Sequence, residues 1–131
     1  MSETVLLIDD SKFLRRVNEL AFTRAGFAVL AAADGEEGLR VAQSQRPDAI
    51  VLDMMLPKIS GPQLLQMLRQ DARTAQIPVI VLSSLPQSNE SKLIGDGAVA
   101  YFEKAKLGVD QGSATLVHAV ENALRHPAKQ V

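Results

Sequence analysis

Four short runs along the chain are apolar at every position: Val5-Leu6-Leu7-Ile8, Phe27-Ala28-Val29-Leu30, Ala49-Ile50-Val51-Leu52 and Val79-Ile80-Val81-Leu82. Val99-Ala100-Tyr101-Phe102 is a weaker fifth. A strand with one wet face alternates apolar and polar residues, so continuous runs predict strands buried on both faces of a parallel sheet. Helical patterns lie between the runs. Ser11 predicts the N-cap of a helix reaching about Ala25, with Gly26 as its stop. Asp34 and Glu37 form a capping-box pattern ahead of a helix ending near Arg46-Pro47. Gly61-Pro62 opens a third helix, through Leu64, Leu65 and Leu68. A shorter helix is predicted over 88–94, before Gly95-Asp96-Gly97. A last one is predicted over 113–125, turning Leu116, Val117, Val120 and Leu124 inward, with His126-Pro127 ending it.

Strand and helix thus alternate five times, which predicts a doubly wound α/β sandwich of three layers, because right-handed crossovers place helices on both sheet faces. No linker, repeat or change of composition divides the chain, so one domain over 1–131 is expected, with its core at about 4–125. Open sheets of this kind hold ligands at the carboxyl ends of their strands.

Composition narrows the chemistry. At 131 residues and 47% hydrophobic, the chain can bury one sizeable core without a covalent staple. With no cysteine, disulfides, thiolate catalysis and sulfur-ligated zinc are excluded. His118 and His126 fall together near the C-terminus, where His118 reads as a surface residue of the last helix. A net charge of −1 argues against nucleic-acid or anionic-membrane partners. No apolar run approaches the roughly 18 residues of a spanning helix, and no signal sequence opens the chain, so a cytoplasmic protein is expected.

The predicted strand ends gather charge. The first run ends in Asp9-Asp10, the third in Asp53, the fourth in Ser83-Ser84, and Lys104 follows the fifth. Three converging carboxylates repel one another unless a cation compensates. Hard oxygen ligands suit Mg²⁺, which keeps waters and leaves room for phosphate oxygens. A lysine offers phosphate a point charge and a serine hydroxyl offers it a hydrogen bond. With no thiol or nearby imidazole as nucleophile, a carboxylate is the natural phosphoryl acceptor. The cluster therefore reads as a Mg²⁺-assisted aspartyl-phosphate site.

VLLIDDSKFLRR, IVLDMMLPKISG, IPVIVLSS and AYFEK, taken together, resemble the receiver domains of two-component response regulators, including the chemotaxis-type single-domain proteins. The resemblance covers roughly residues 4 to 125. It implies a flavodoxin-like fold with a five-stranded parallel sheet of order 2-1-3-4-5. It also implies that Asp53 is the phosphoacceptor. Asp10, Asp53 and the backbone carbonyl of Met55 would bind Mg²⁺ directly, with Asp9 acting largely through water. Ser83 matches the switch hydroxyl, Ser84 the neighbour whose N–H faces phosphate, Tyr101 the switch aromatic and Lys104 the phosphate-binding lysine. The implied role is regulatory rather than enzymatic. A sensor histidine kinase or phosphotransfer protein would be the donor, and an unnamed downstream protein would read the change around residues 88–94, the fifth strand and the last helix. Ala105 stands where the family usually has proline. A non-proline cis bond costs roughly 3–4 kcal/mol, which favours a trans peptide there.

Three other readings use the same residues. A phosphatase of the haloacid dehalogenase type wants a second aspartate two positions after its nucleophile, where this chain has Met55. A nucleotide-binding flavodoxin-like module wants a glycine-rich turn after the first strand, where this chain has Asp9-Asp10-Ser11-Lys12. A scaffold independent of phosphorylation has only Ala105 in its favour. Two further expectations concern surfaces. The resemblance to receiver domains also implies that Met55 and Leu85, two residues beyond Asp53 and Ser83, flank the approach of water, where their apolar side chains would slow hydrolysis of a phosphorylated aspartate. The first helix carries Leu14, Val17, Ala21 and Ala25, with Phe13 and Leu20 at one edge, as either a wide core stripe or a kinase-facing edge. Arg15-Arg16 reads as its solvated face.

Overall fold

The computed structural model describes residues 3–53, 56, 58–83, 98–103 and 109–125. Its strands are β1 (Thr4–Ile8), β2 (Ala28–Ala32), β3 (Ala49–Asp53), β4 (Val79–Ser83) and β5 (Ala100–Glu103). The helices among the described residues are α1 (Lys12–Arg24), α2 (Gly35–Gln45), α3 (Gly61–Gln70) and α4 (Val109–Arg125). All strand pairs are parallel, in the order β2-β1-β3-β4-β5. The helix predicted over 88–94 lies outside the described residues.

The apolar runs become strands because both of their faces find a helix layer. Successive side chains of a strand point to opposite faces. Leu6 and Ile8 of β1, Ile50 and Leu52 of β3, and Val79 and Val81 of β4 join Ala42, Leu64, Leu65 and Leu68 from α2 and α3. The intervening Val5, Leu7, Val51, Ile80 and Leu82 join Phe22 of α1 and Leu116 and Val120 of α4. Every one of these strand residues is 4% exposed or less. One glycine is demanded by this packing. A Cβ on Gly38 of α2 would fall 2.6 Å from Ile8 Cδ1, so the helix lies close to β1 only without a side chain there.

Several boundaries differ from the sequence reading. β2 begins at Ala28 and extends to Ala32, because Leu7 and Ile8 of β1 pair with Ala31 and Ala32, residues too small to register as apolar bulk. Phe27 stays outside the strand and stacks edge-on against Phe22, ring centres 5.5 Å apart. The turn before it uses Gly26 at φ 98°, a left-handed conformation suited to glycine. α4 starts at Val109, a turn before the predicted Ser113. Asp34 caps α2 through the Glu37 N–H, but the Glu37 carboxylate accepts from Ala33 N–H at 2.8 Å, one residue before the cap. The reciprocal capping box belongs instead to Ser60 and Gln63 at the start of α3, a pair the sequence reading passed over.

The wide stripe on α1 also resolves. Phe22 and Asn18 are the buried residues of this helix, whereas Phe13 and Leu20 are 64% and 47% exposed. The core side is therefore centred nearer Phe22, and Phe13 and Leu20 fall off its far edge. Phe22→Ala should lower the unfolding free energy by about 3–5 kcal/mol, as expected for an emptied aromatic core position. Phe13→Ala should change it by no more than ~0.5 kcal/mol. Chemical denaturation of the two variants checks this, and similar losses would return Phe13 to the core.

Candidate functional site

β1 and β3 are neighbours, with Ile8 opposite Leu52, so the residues that follow them emerge side by side at the carboxyl edge. Those residues are Asp9 and Asp53, which are 5% and 1% exposed, and Asp10 lies exposed beside them. One carboxylate oxygen from each of the three comes within 4.8 Å of the others. The strands carry no charge until this edge is reached, so packing of the apolar runs delivers the acidic groups to one place.

The turn from β1 into α1 is tied at several points. The Asp9 N–H donates to the Ala32 carbonyl at the end of β2, 3.1 Å away. Asp9 Oδ1 accepts the Ser11 N–H at 2.8 Å, and Ser11 Oγ accepts the Leu14 N–H at 3.2 Å, capping α1. Arg15 Nη1 donates to the Asp9 carbonyl at 2.7 Å. Arg15 is half-buried on this turn rather than solvated as the sequence reading had it, whereas Arg16 is exposed. Its charge sits in the early turns of a helix, where the backbone dipole disfavours a cation; that misplacement was the available signal.

A second link crosses the same edge. Lys58, in a left-handed conformation at φ 70°, places Nζ 3.6 Å from Asp34 Oδ2, connecting the segment after β3 to the start of α2. The Glu37 backbone N–H, helped by Lys58, holds the Asp34 carboxyl below its ordinary pKa.

Other predicted site residues are placed only in part. Asp53 pairs with Leu82, so the Ser83 backbone ends β4 one residue farther along the same edge. Ser83 in turn pairs with Glu103 of β5, and Tyr101 lies opposite Val81. The side chains of Ser83 and Tyr101 are outside those described. Met55, Ser84, Leu85, Lys104 and the Lys104–Ala105 peptide are outside the described residues. His118 is at the surface of α4, as expected, with Nδ1 3.9 Å from Glu121.

Residues 5–111 match the family model described as the response regulator receiver domain. The chain belongs to that family. Among solved structures, the receiver domain of Francisella response regulator 1452 superposes with a TM-score of 0.84 at 29% identity, covering 95% of this chain and 98% of that one. The chemotaxis response regulator CheY4 of Vibrio cholerae superposes with 0.81 at 25% identity, covering 92% and 99%. The chain therefore has the flavodoxin-like receiver fold. Relatives by sequence include the transcriptional regulatory protein AfsQ1 of Streptomyces coelicolor, 46% identical over 62% of this chain. They also include the DNA-binding dual master transcriptional regulator RpaA of Synechocystis, 40% identical over 76% of this chain. The chain spans 35% of AfsQ1 and 42% of RpaA. No helix among the described residues is long and apolar enough to cross a membrane.

The donor set of the receiver's acidic edge is all oxygen and all anionic, the chemistry that fits a hard divalent cation. With divalent cations removed by a chelator, three like charges face one another across that distance. Asp10→Asn should therefore raise the unfolding midpoint by about 2–4 °C under those conditions, by removing one partner from the repulsion. Differential scanning calorimetry with EDTA reads it, and an unchanged or lower midpoint would show that the charges do not oppose folding.

Proposed function

We propose that the domain is a phosphorylation-controlled switch in which Asp53 accepts a phosphoryl group from a sensor histidine kinase or a phosphotransfer protein. The observation that carries this reading is the convergence of Asp9, Asp10 and Asp53 at one strand edge of a receiver domain. An Asp53 carboxylate oxygen attacks phosphorus as the bond from phosphorus to the donor nitrogen breaks, giving an aspartyl phosphate and a free donor imidazole. Asp10, Asp53 and the Met55 carbonyl would hold Mg²⁺ directly, with Asp9 acting through water. When bound, the ion neutralises charge on the carboxylates and the phosphoryl oxygens. The protein supplies little covalent chemistry beyond the nucleophile; positioning and charge do the rest. Lys104 contributes a point charge, and the Ser84 N–H and Ser83 hydroxyl contribute hydrogen bonds to the transferred group.

The proposed readout begins at Ser83. Its hydroxyl moves toward the phosphoryl group, Tyr101 follows into the space released, and the surface formed by residues 88–94, β5 and α4 changes its affinity for a downstream protein. The donor protein would dock where Phe13 and Leu20 stand exposed, beside Lys12, Arg16 and Glu19. The reading makes the chain a regulatory domain of the cytoplasm rather than an enzyme. The names of AfsQ1 and RpaA describe transcriptional regulation by longer proteins, of which the matched region makes up 35% and 42%. Direct contact with nucleic acid is not part of the proposed role, since a chain of net charge −1 offers phosphates little electrostatic attraction.

Asp53→Asn removes the nucleophile and keeps its shape. Incubation with acetyl phosphate and Mg²⁺ should label the parent chain and leave this variant unlabelled by mass spectrometry. Equal labelling would remove Asp53 from the mechanism.

Met55 and Leu85, two residues beyond Asp53 and Ser83, lack strong hydrogen-bonding groups for an attacking water, so self-dephosphorylation should be slow. The double variant Met55→Asn, Leu85→Glu should shorten the phosphorylated lifetime by about tenfold or more, each tenfold corresponding to ~1.4 kcal/mol of barrier. Phosphate release after removal of the donor measures it. A parent lifetime equal to that of the polar variant would mean these two side chains do not govern hydrolysis.

A further inference from the structure

The peptide that joins Asp9 to Asp10 has an unusual holder. Its carbonyl oxygen, that of Asp9, accepts from Arg15 Nη1 at 2.7 Å, across nearly two turns of chain. Two further groups of Asp9 are tied, the N–H to Ala32 and Oδ1 to Ser11. Asp10 differs from its neighbour in being exposed, so water competes for its carboxylate and no core packing aims it. The peptide plane that precedes Asp10 helps set the direction in which its side chain leaves the backbone. The Arg15 guanidinium acts on that plane.

From this geometry we propose that Arg15 is a positioning residue for the acidic site: it holds the Asp9–Asp10 peptide so that Asp10 is preorganised to take a divalent cation. The inference rests on the reading of Asp9, Asp10 and Asp53 as a cation site. Guanidinium suits the task because it stays charged and donates through a rigid planar fork. Its long stem is half-buried, so it loses less freedom when the hydrogen bond forms than a fully solvated one would. Outer groups that orient metal ligands commonly affect metal affinity 10–100-fold. Arg15 acts one bond farther out, through a backbone carbonyl, so the expected effect is smaller.

The sign of the effect separates positioning from simple charge. A fixed positive group near the cluster repels an incoming cation, so by Coulomb's law alone its removal would tighten binding. Loss of positioning weakens binding. Mg²⁺ is titrated by calorimetry into the full chain and into Arg15→Met, which keeps the packed stem without the donor, and Arg15→Lys, which keeps a charged donor of similar reach. Arg15→Met should bind Mg²⁺ about three- to tenfold more weakly than the parent, and Arg15→Lys within about twofold of it. In EDTA, amide exchange at Ser11 should be faster in Arg15→Met, as the turn loosens before any metal is present. Arg15→Gln, too short to span the turn, serves the same comparison should Arg15→Met not fold. Binding by Arg15→Met as tight as the parent's, or tighter, overturns the role of Arg15 and leaves the cation site standing. A parent that takes up no divalent cation overturns the reading of the site itself, and the positioning role with it.

Discussion

Two carboxylates with almost no access to water stand at the ends of adjacent strands, and the parallel pairing of β1 with β3 is what holds them there. Left to themselves, such groups move apart, since like charges repel. The opposing force is apolar. Val5, Leu6, Leu7 and Ile8 of β1 and Ala49, Ile50, Val51 and Leu52 of β3 are each 3% exposed or less, with helices packed over both faces. Each such side chain contributes roughly 1.5–3 kcal/mol when fully removed from water, the smaller Ala49 less. The sheet can therefore carry an unfavourable charge cluster at its edge.

Around that edge the backbone is held more firmly than the exposed Asp10 would suggest. Asp9 accepts from Ser11, donates to Ala32 and accepts from Arg15, while Ser11 caps α1. On the other flank, Lys58 and Asp34 join the segment after β3 to α2. The result is a division of labour among the carboxylates. Asp9 and Asp53 are buried, and Asp10 faces solvent.

Receiver membership also sets the scale on which this chain is understood. AfsQ1 and RpaA contain the matched region within proteins more than twice its length. What the domain offers on its own is one acidic edge and two flanking surfaces. The α1 side bears Phe13 and Leu20, which the core does not need. The opposite side runs from β5 to α4, where Ile80, Val99, Phe102 and Ala119 line a groove.

The strands and the acidic residues were legible in the sequence because each rests on a local pattern. Uninterrupted apolar runs have no solution except burial on both faces, and Asp9, Asp10, Asp53 and Ser83 follow those runs directly. Other features depend on what a residue meets across space. Ala31 and Ala32 carry no strong strand signal, yet they pair with Leu7 and Ile8 because β1 offers them a ladder. Phe22 and Phe13 are the same residue type on one helix, and only the packing of α1 against the sheet and α4 sends one inside and the other out. Arg15 and Arg16 are identical neighbours, but their directions on the helix differ by roughly 100°, which brings only Arg15 back over the Asp9 carbonyl. The sequence alone determined which groups reach the strand ends, since burial of apolar runs is a local demand. Tertiary structure decided how those groups are oriented, since orientation depends on contacts between residues brought together only by folding.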